Sequence, residues 1–235
     1  MAGAALRRKV EPEWLDALAE AEPGALRARR DLRRINALMR NTAILAGAVQ
    51  CMEFNPAPRV IAEIGAGDGT LMLALARRLG PQWRGTRVVL VDRQQLVEPR
   101  TLAGFAALGW RAEAVAADAI EWLARSGTDF DLIVANLFLH HFERAALREL
   151  LARVAACTQR FVACEPRRSL LALGASHLLG LIGCNAVTRH DAAVSVRAGF
   201  GGTELAAAWP ADGWRLREFD AFAFSHCIVA EKAGR

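Results

Sequence analysis

Tyrosine is missing from the whole 235-residue chain, which removes the phenol as a base or a stacking ring from whatever chemistry it performs. No uninterrupted apolar run approaches the ~18 residues needed to cross a bilayer, so no membrane span is expected. The start, Met1 to Lys9, has no apolar core of the kind a secretion signal needs, and a cytoplasmic location is the expectation. The cysteines Cys51, Cys157, Cys164, Cys184 and Cys227 are odd in number, contain no C-x-x-C pair and lie mostly in apolar runs. They read as reduced, mostly buried thiols, and no metal site is expected.

What is present is a globular composition, 53% hydrophobic and 23% charged, in a length that suits one large domain. The formal net charge is +5 and is carried almost entirely by arginine. Such an excess can serve nucleic acid, but here carboxylates are interleaved with the arginines. The densest group, Arg27, Arg29, Arg30, Arg33 and Arg34, falls on a helical segment as a solvated face would. Nucleic acid is therefore not an expected partner.

Residues 1–55 read as a helical extension packing on a core domain of residues 56–235. Leu32, Ile35 and Met39 recur at helical spacing, Asn41-Thr42 offers a cap for a second helix, and Asn55-Pro56-Ala57-Pro58 ends it. Strands are then predicted at Arg59–Ile64, Val88–Asp92, Ala112–Ala117, Phe130–Ala135 and Arg160–Glu165. Helices fall between them, over 70–79, 94–108, a short turn through Trp122, and near 143–156. Alternation of this kind implies a mainly parallel sheet with right-handed crossovers. After Glu165 the rhythm breaks. The interval near 166–212, with a helix from Ser169 to Leu181, a polar glycine-rich stretch and a short helix near Glu204 to Trp209, reads as an acceptor-binding insertion or lid. Trp214–Phe219 and Ala223–Ala230 alternate as a closing hairpin.

The sharpest motif is Glu63-Ile64-Gly65-Ala66-Gly67-Asp68-Gly69-Thr70, set between a strand and a helix. Glycines there let the backbone turn tightly and approach a ligand, although an ordinary tight turn would use them too. Thr70 stands where a dinucleotide fingerprint needs its third glycine. Asp92 ends the second strand, where a carboxylate can accept from both ribose hydroxyls, and Asp118-Ala119 follows the third.

An acidic residue two places before G-x-G-x-G, then Asp92, then Asp118 resembles the motif order of the class I S-adenosylmethionine (SAM)-dependent methyltransferases, over roughly residues 55–165. The resemblance implies a Rossmann-like α/β fold, with a seven-stranded, mostly parallel sheet whose last strand is antiparallel, N-terminal helices and a helical lid. It implies SAM as cofactor and S-adenosylhomocysteine (SAH) as product. Glu63, Gly65, Ala66 and Gly67 would hold the aminoacid part, Asp92 the ribose, and Asp118 and Ala119 the adenine, with Arg93 a further cofactor contact. Asn136 and Leu137, at the fourth motif, would complete the cofactor site.

Members of that family that methylate amino groups of adenine, cytosine or glutamine carry [N/D]-P-P-[Y/F/W] where this chain has Asn136-Leu137-Phe138-Leu139. The missing prolines favour a small-molecule acceptor. His140-His141-Phe142 resembles the L-H-H-F ending common in small-molecule O- and C-methyltransferases. His141 is a candidate base and His140 a candidate acceptor contact, with packing or helix capping as the alternative for either. In the later excursion His190 beside Asp191 could form an oriented base, or the stretch could be a surface loop. Arg189 and Arg197 could hold a carboxylate or phenolate oxygen, and Glu165 ends the fifth strand on the presumed acceptor side. Asp31–Asn36 and His190–Phe200 are similar to segments of bacterial methyltransferases found beside type III polyketide synthases. This implies phenolic or quinol-like acceptors and N-terminal helices folded over the cofactor, where Arg40 would either reach the cofactor carboxylate or be a solvated helix end.

O-methylation of an aromatic or polyketide-derived hydroxyl is thus the expected function, with C-methylation of a phenol or quinol as its neighbour. A nicotinamide oxidoreductase and a SAM-binding module without chemistry are the competing classes. The expected partner is a small-molecule acceptor, with a homodimer left open.

Overall fold

The computed structural model describes residues 6–210 and 212–233; residues 1–5 of the N-terminal extension lie outside them. Strands β1 (Val60–Ile64), β2 (Arg87–Asp92), β3 (Arg111–Ala116), β4 (Leu132–Asn136), β5 (Arg160–Pro166), β6 (Trp214–Ala221) and β7 (Ser225–Lys232) form one sheet in the order β3-β2-β1-β4-β5-β7-β6. The pairings from β3 through β5 are parallel, while β7 runs against both β5 and β6. The central strands are apolar along their length because both faces are covered, as parallel strands require. Helices α3 (Asn41–Gln50), α4 (Thr70–Leu79) and α5 (Pro99–Ala107) cover one face, burying Leu45, Val49, Met72, Leu75 and Phe105. Helices α6 (Ala119–Arg125) and α7 (Arg144–Cys157) cover the other through Leu123, Leu147, Leu150, Leu151 and Val154. All five cysteines are free thiols. Among the described residues no helix is long and apolar enough to cross a membrane.

Two local features differ from the sequence expectation. The cap between α2 (Pro23–Leu38) and α3 is not Asn41 but Arg40, held left-handed at φ 60°, with no side-chain cap bond. Asn41 already lies in the helix, buried, and donates to Asn36 Oδ1 at 2.8 Å. The helix after β2 starts at Pro99, not at 94, because Asp92 Oδ1 accepts from Gln94 N (2.9 Å) and holds that segment as a loop.

The largest departure is the polar stretch around His190. After α8 (Leu170–His177) and a 3-10 turn (Leu178–Ile182), residues Ala186–Ala198 form a full helix, α9, whose first turn is capped by Asn185 Oδ1 accepting from Thr188 N at 2.8 Å. Its Thr188, Asp191 and Ser195 side chains are paired across to the N-terminal segments. Asp31 of α2 accepts from Asn185 N (2.9 Å) and Thr188 Oγ1 (3.2 Å). Asp191 accepts from the amides of Trp14 (2.9 Å) and Leu15 (3.0 Å), at the start of the short helix α1 (Trp14–Ala17). The N-terminal segment is therefore bound to α9 by buried polar contacts, which hydropathy does not register.

Candidate active site

A cavity of about 640 Å³ opens where β1, β2 and β4 end, roofed by α1, α2, α8 and α9. Its floor is the loop between β1 and α4. Gly65 and Gly67 sit at φ 68° and 54°, and a Cβ on Gly65 would stand 2.3 Å from the Phe138 ring. Only glycine fits there. Asp92 anchors the loop: Oδ2 accepts from Gly67 N at 2.8 Å and Oδ1 from Gln94 N at 2.9 Å. Each oxygen keeps a further lone pair for a ligand hydroxyl. Ala66 N donates to Val91 O at 3.0 Å, and Arg33 of α2 reaches over to Asp68 at 2.7 Å.

Glu63 carries the clearest ligand signal. Its side chain is buried beside the cavity, and Oε2 has no hydrogen-bond partner; Asn136 Oδ1, at the end of β4, is in the same state. Burial first, then the charges of Asp68 and Asp92, pushes the Glu63 carboxyl well above the usual range. Unpaired buried acceptors are costly and rare. Two of them on one cavity wall fit a ligand that brings a cationic donor, such as the ammonium of an aminoacid group.

Asp118 lies in a small recess beside Gly65, Asp92, Arg93, Ala119 and Phe138, off the main cavity. Its Oδ1 caps α6 at Ile120 N (2.9 Å), and Oδ2 accepts from Arg93 Nη2 at 2.6 Å. Burial works against ionisation there, but Arg93 and the capped amides hold the carboxyl below its ordinary value. A ligand amine at this position would share Oδ2 with Arg93.

At the opposite end, Leu137 is left-handed (φ 49°), and the chain wraps around the carboxylate of Glu165. Glu165 is fully buried and accepts from the amides of Phe138 (3.0 Å) and Leu139 (2.9 Å), and its Oε2 pairs with His140 Nδ1 at 2.8 Å. His140 Nε2 lies 3.3 Å from Glu13, which also accepts the Ser195 hydroxyl. Burial disfavours the His140 imidazolium, but hydrogen bonds to Glu13 and Glu165 and their charges outweigh it and raise the pKa to about 9. Burial likewise opposes ionisation of Glu13, and His140, His141 and Ser195 reverse it, down to about 2. His141 is the opposite case. Burial, then the neighbouring His140 charge, lowers its pKa, and it lines the cavity with its side chain 28% exposed. Its Nδ1 stands 3.6 Å from Asp16, beyond hydrogen-bond reach.

These shifts have a stability consequence. The raised His140 pKa stabilises the fold fully below its unfolded value near 6.5 and is lost as pH climbs through about 9. The lowered Glu13 pKa stabilises above 4.5 and is lost as pH falls through about 2. The pair therefore contributes most between pH 4.5 and 6.5. Thermal unfolding is expected to show the His140→Gln variant closing on the parent by about 3 kcal/mol between pH 6.5 and 9; a difference independent of pH in that window would contradict the ion-pair account.

The other sequence candidates are placed as follows. Glu63, Gly65, Ala66, Gly67, Asp92, Arg93, Asn136, Leu137, His140, His141 and Asp191 all line the one cavity, while Asp118 and Ala119 line the recess beside it. His190 does not line it. Its ring stacks on Trp14 (3.8 Å between centroids) and Nδ1 pairs with Asp191 at 2.9 Å, so this pair clamps α1 and is not set up as a base. Arg189 and Arg197 also stand off the lining; Arg189 packs against Gly180, and the Arg197 carbonyl accepts from Lys9 N. Glu165 faces the turn beneath the acceptor end and has no surface in the cavity. Arg40 lies over Phe222 at 5.2 Å, off the lining, and Arg33 occupies the position nearer the glycine loop. Glu13 was invisible to sequence reasoning, since nothing local distinguishes it from Glu11 or Glu20.

Residues 61–160 match a family model described as a methyltransferase domain. The matched stretch is the one that carries the glycine loop, Asp92, Asp118 and the paired histidines. No curated protein matches the sequence. Among solved structures, the plantazolicin methyltransferase BpumL in complex with SAH is similar with a TM-score of 0.66 at 13% identity, over 90% of this chain and 91% of that one. An O-methyltransferase family protein from Burkholderia thailandensis gives 0.61 at 16%, over 92% of this chain and 64% of that one, so this chain spans less than two thirds of that protein. The magnesium protoporphyrin IX methyltransferase ChlM from Synechocystis PCC 6803 with bound SAH gives 0.53 at 13%, over 93% and 91%. These likenesses establish the Rossmann-like methyltransferase fold.

Proposed function

We propose that this chain transfers the methyl group of SAM to a hydroxyl of a small aromatic or polyketide-derived acceptor. The observation that carries the reading is the pair of unpartnered buried acceptors, Glu63 Oε2 and Asn136 Oδ1, on the same cavity that holds Asp92 and His141. Glu63 and Asn136 suit an ammonium, Asp92 suits two ribose hydroxyls, and the Asp118–Arg93 recess suits the adenine edge. SAM and SAH are what BpumL and ChlM bind in crystals.

SAM supplies a methyl group already activated on a sulfonium, which leaves the protein to align the acceptor and remove its proton. His141 is the base: its lowered pKa keeps the imidazole neutral near pH 7. His140 is a positioning residue, held between Glu165 and Glu13, whose positive charge keeps its neighbour deprotonated. Leu32, Ile35, Met39, Leu137 and Leu179 give the cavity apolar walls suited to an aromatic body. The resemblance to enzymes beside type III polyketide synthases supports a phenolic acceptor.

Calorimetric titration is expected to give micromolar SAM affinity, and isotope-labelled SAM should label the oxygen of at least one member of a panel of phenols and hydroquinones. Absence of SAM binding at millimolar concentration would overturn the proposal.

A further inference from the structure

The lid segment is apolar on both faces. Ala172, Ala175, Ser176 and Leu179, spaced as one side of a helix, line the cavity. On the other side Leu170, Leu171, Leu178 and Leu181 are exposed, at 65%, 64%, 59% and 83%. A helix that is apolar all round is ordinarily buried, and this one is not. Three more exposed apolar side chains, Leu38, Phe222 and Phe224, belong to the same region: Leu38 and Phe224 line the cavity themselves, and Phe222 sits two residues away at the tip of the β6–β7 turn. That tip is strained. Phe222 has φ 57°, and the Arg40 guanidinium resting on it belongs to another left-handed residue. A bulky aromatic held outward at positive φ is a conformation a turn does not adopt without cause.

From Arg167 to His190 the chain carries arginines at 167, 168 and 189 and no carboxylate. Arg167 pairs with Asp220 (2.8 Å) and Arg168 with Glu204 (2.7 Å), which leaves Arg189 as the arginine of this segment without an ion pair among the described residues. Exposed Arg189 packs along the 3-10 turn at Gly180, and exposed Arg40 stands at Phe222.

We propose that the exposed leucines of the lid, with Phe222 at the turn tip and Arg40 and Arg189 beside them, dock this protein onto an anionic lipid surface, with the cavity mouth facing the bilayer. Apolar side chains that enter the interface together with flanking arginines are the combination that lipid binding uses. The inference does not rest on methyl transfer.

The test is co-sedimentation of the full chain with phosphatidylcholine vesicles and with vesicles containing phosphatidylglycerol. Binding is expected to the anionic vesicles, about tenfold or more weaker to the neutral ones, and weakened by salt. The double variant Leu178→Asp/Leu181→Asp, at exposed positions off the cavity lining, should lose about tenfold or more of that binding. Its SAM titration and melting temperature should match the parent, which separates failure of docking from failure of the cofactor reading. Undiminished vesicle binding by the double variant, no binding to anionic vesicles, or a solution dimer that the same substitutions dissolve would each overturn the proposal.

Discussion

With His141 replaced by alanine, kcat on an acceptor identified by the panel is expected to fall about 10²–10⁴-fold, the range that a positioned base supplies. SAM affinity should stay within about twofold, because the loss falls on the chemical step and not on cofactor binding. The cause is electrostatic. Glu165 and Glu13 stabilise an imidazolium at His140, and that cation, together with burial, keeps the adjacent ring neutral. Because the His141 pKa lies below 6.5, the acid limb of the parent's kcat/KM profile should also lie below pH 6.5, and the variant should lose that limb. His190→Ala offers the contrast: stacked on Trp14 and off the cavity, it should leave the pH profile unchanged. Parental turnover by His141→Ala would remove histidine base catalysis.

Asp92→Ala is expected to weaken SAM binding about 100-fold or more. A carboxylate accepting from two ribose hydroxyls contributes about 3 kcal/mol or more, taking roughly 1.5 kcal/mol for each charged hydrogen bond. The same substitution releases the amides of Gly67 and Gln94, so the glycine loop and the segment after β2 lose their shared anchor. Asp92→Asn retains one oxygen acceptor and should fall between the two, about tenfold below the parent. Calorimetry on variants that retain their circular dichroism melts gives the comparison, and undiminished SAM affinity in Asp92→Ala would exclude the ribose role.

How legible this was in the sequence depends on how each contact is made. The βα alternation from 59 to 165 could be read because apolar periodicity and glycine punctuation are local signals, and the parallel sheet they imply is the one observed. The convergence of Glu63, Asp92 and Asp118 was read from strand order, since successive strand ends in a parallel sheet meet at one edge; Glu63 and Asp92 line the cavity, and Asp118 lies in the recess beside it. Helix α9 was not legible. Thr188 and Asp191 are buried there against Asp31 and the amides of Trp14 and Leu15, partners more than 150 residues away, and a hydropathy pattern reads such residues as surface. For the same reason His190-Asp191 looked like an oriented base: the bond between them exists, but the carboxylate spends its remaining capacity on α1. Glu13 enters the site only because those contacts bring α1 over His140.

The solitary carboxyl of Glu63 has one more consequence. Burial and the neighbouring anions favour its protonated form in the free protein, whereas a cation arriving beside it favours the carboxylate. Occupation of that corner by an ammonium would therefore eject a hydrogen ion, leaving the net charge of the corner nearly unchanged. Loading becomes an exchange of one positive species for another, easier in alkaline than in acidic surroundings.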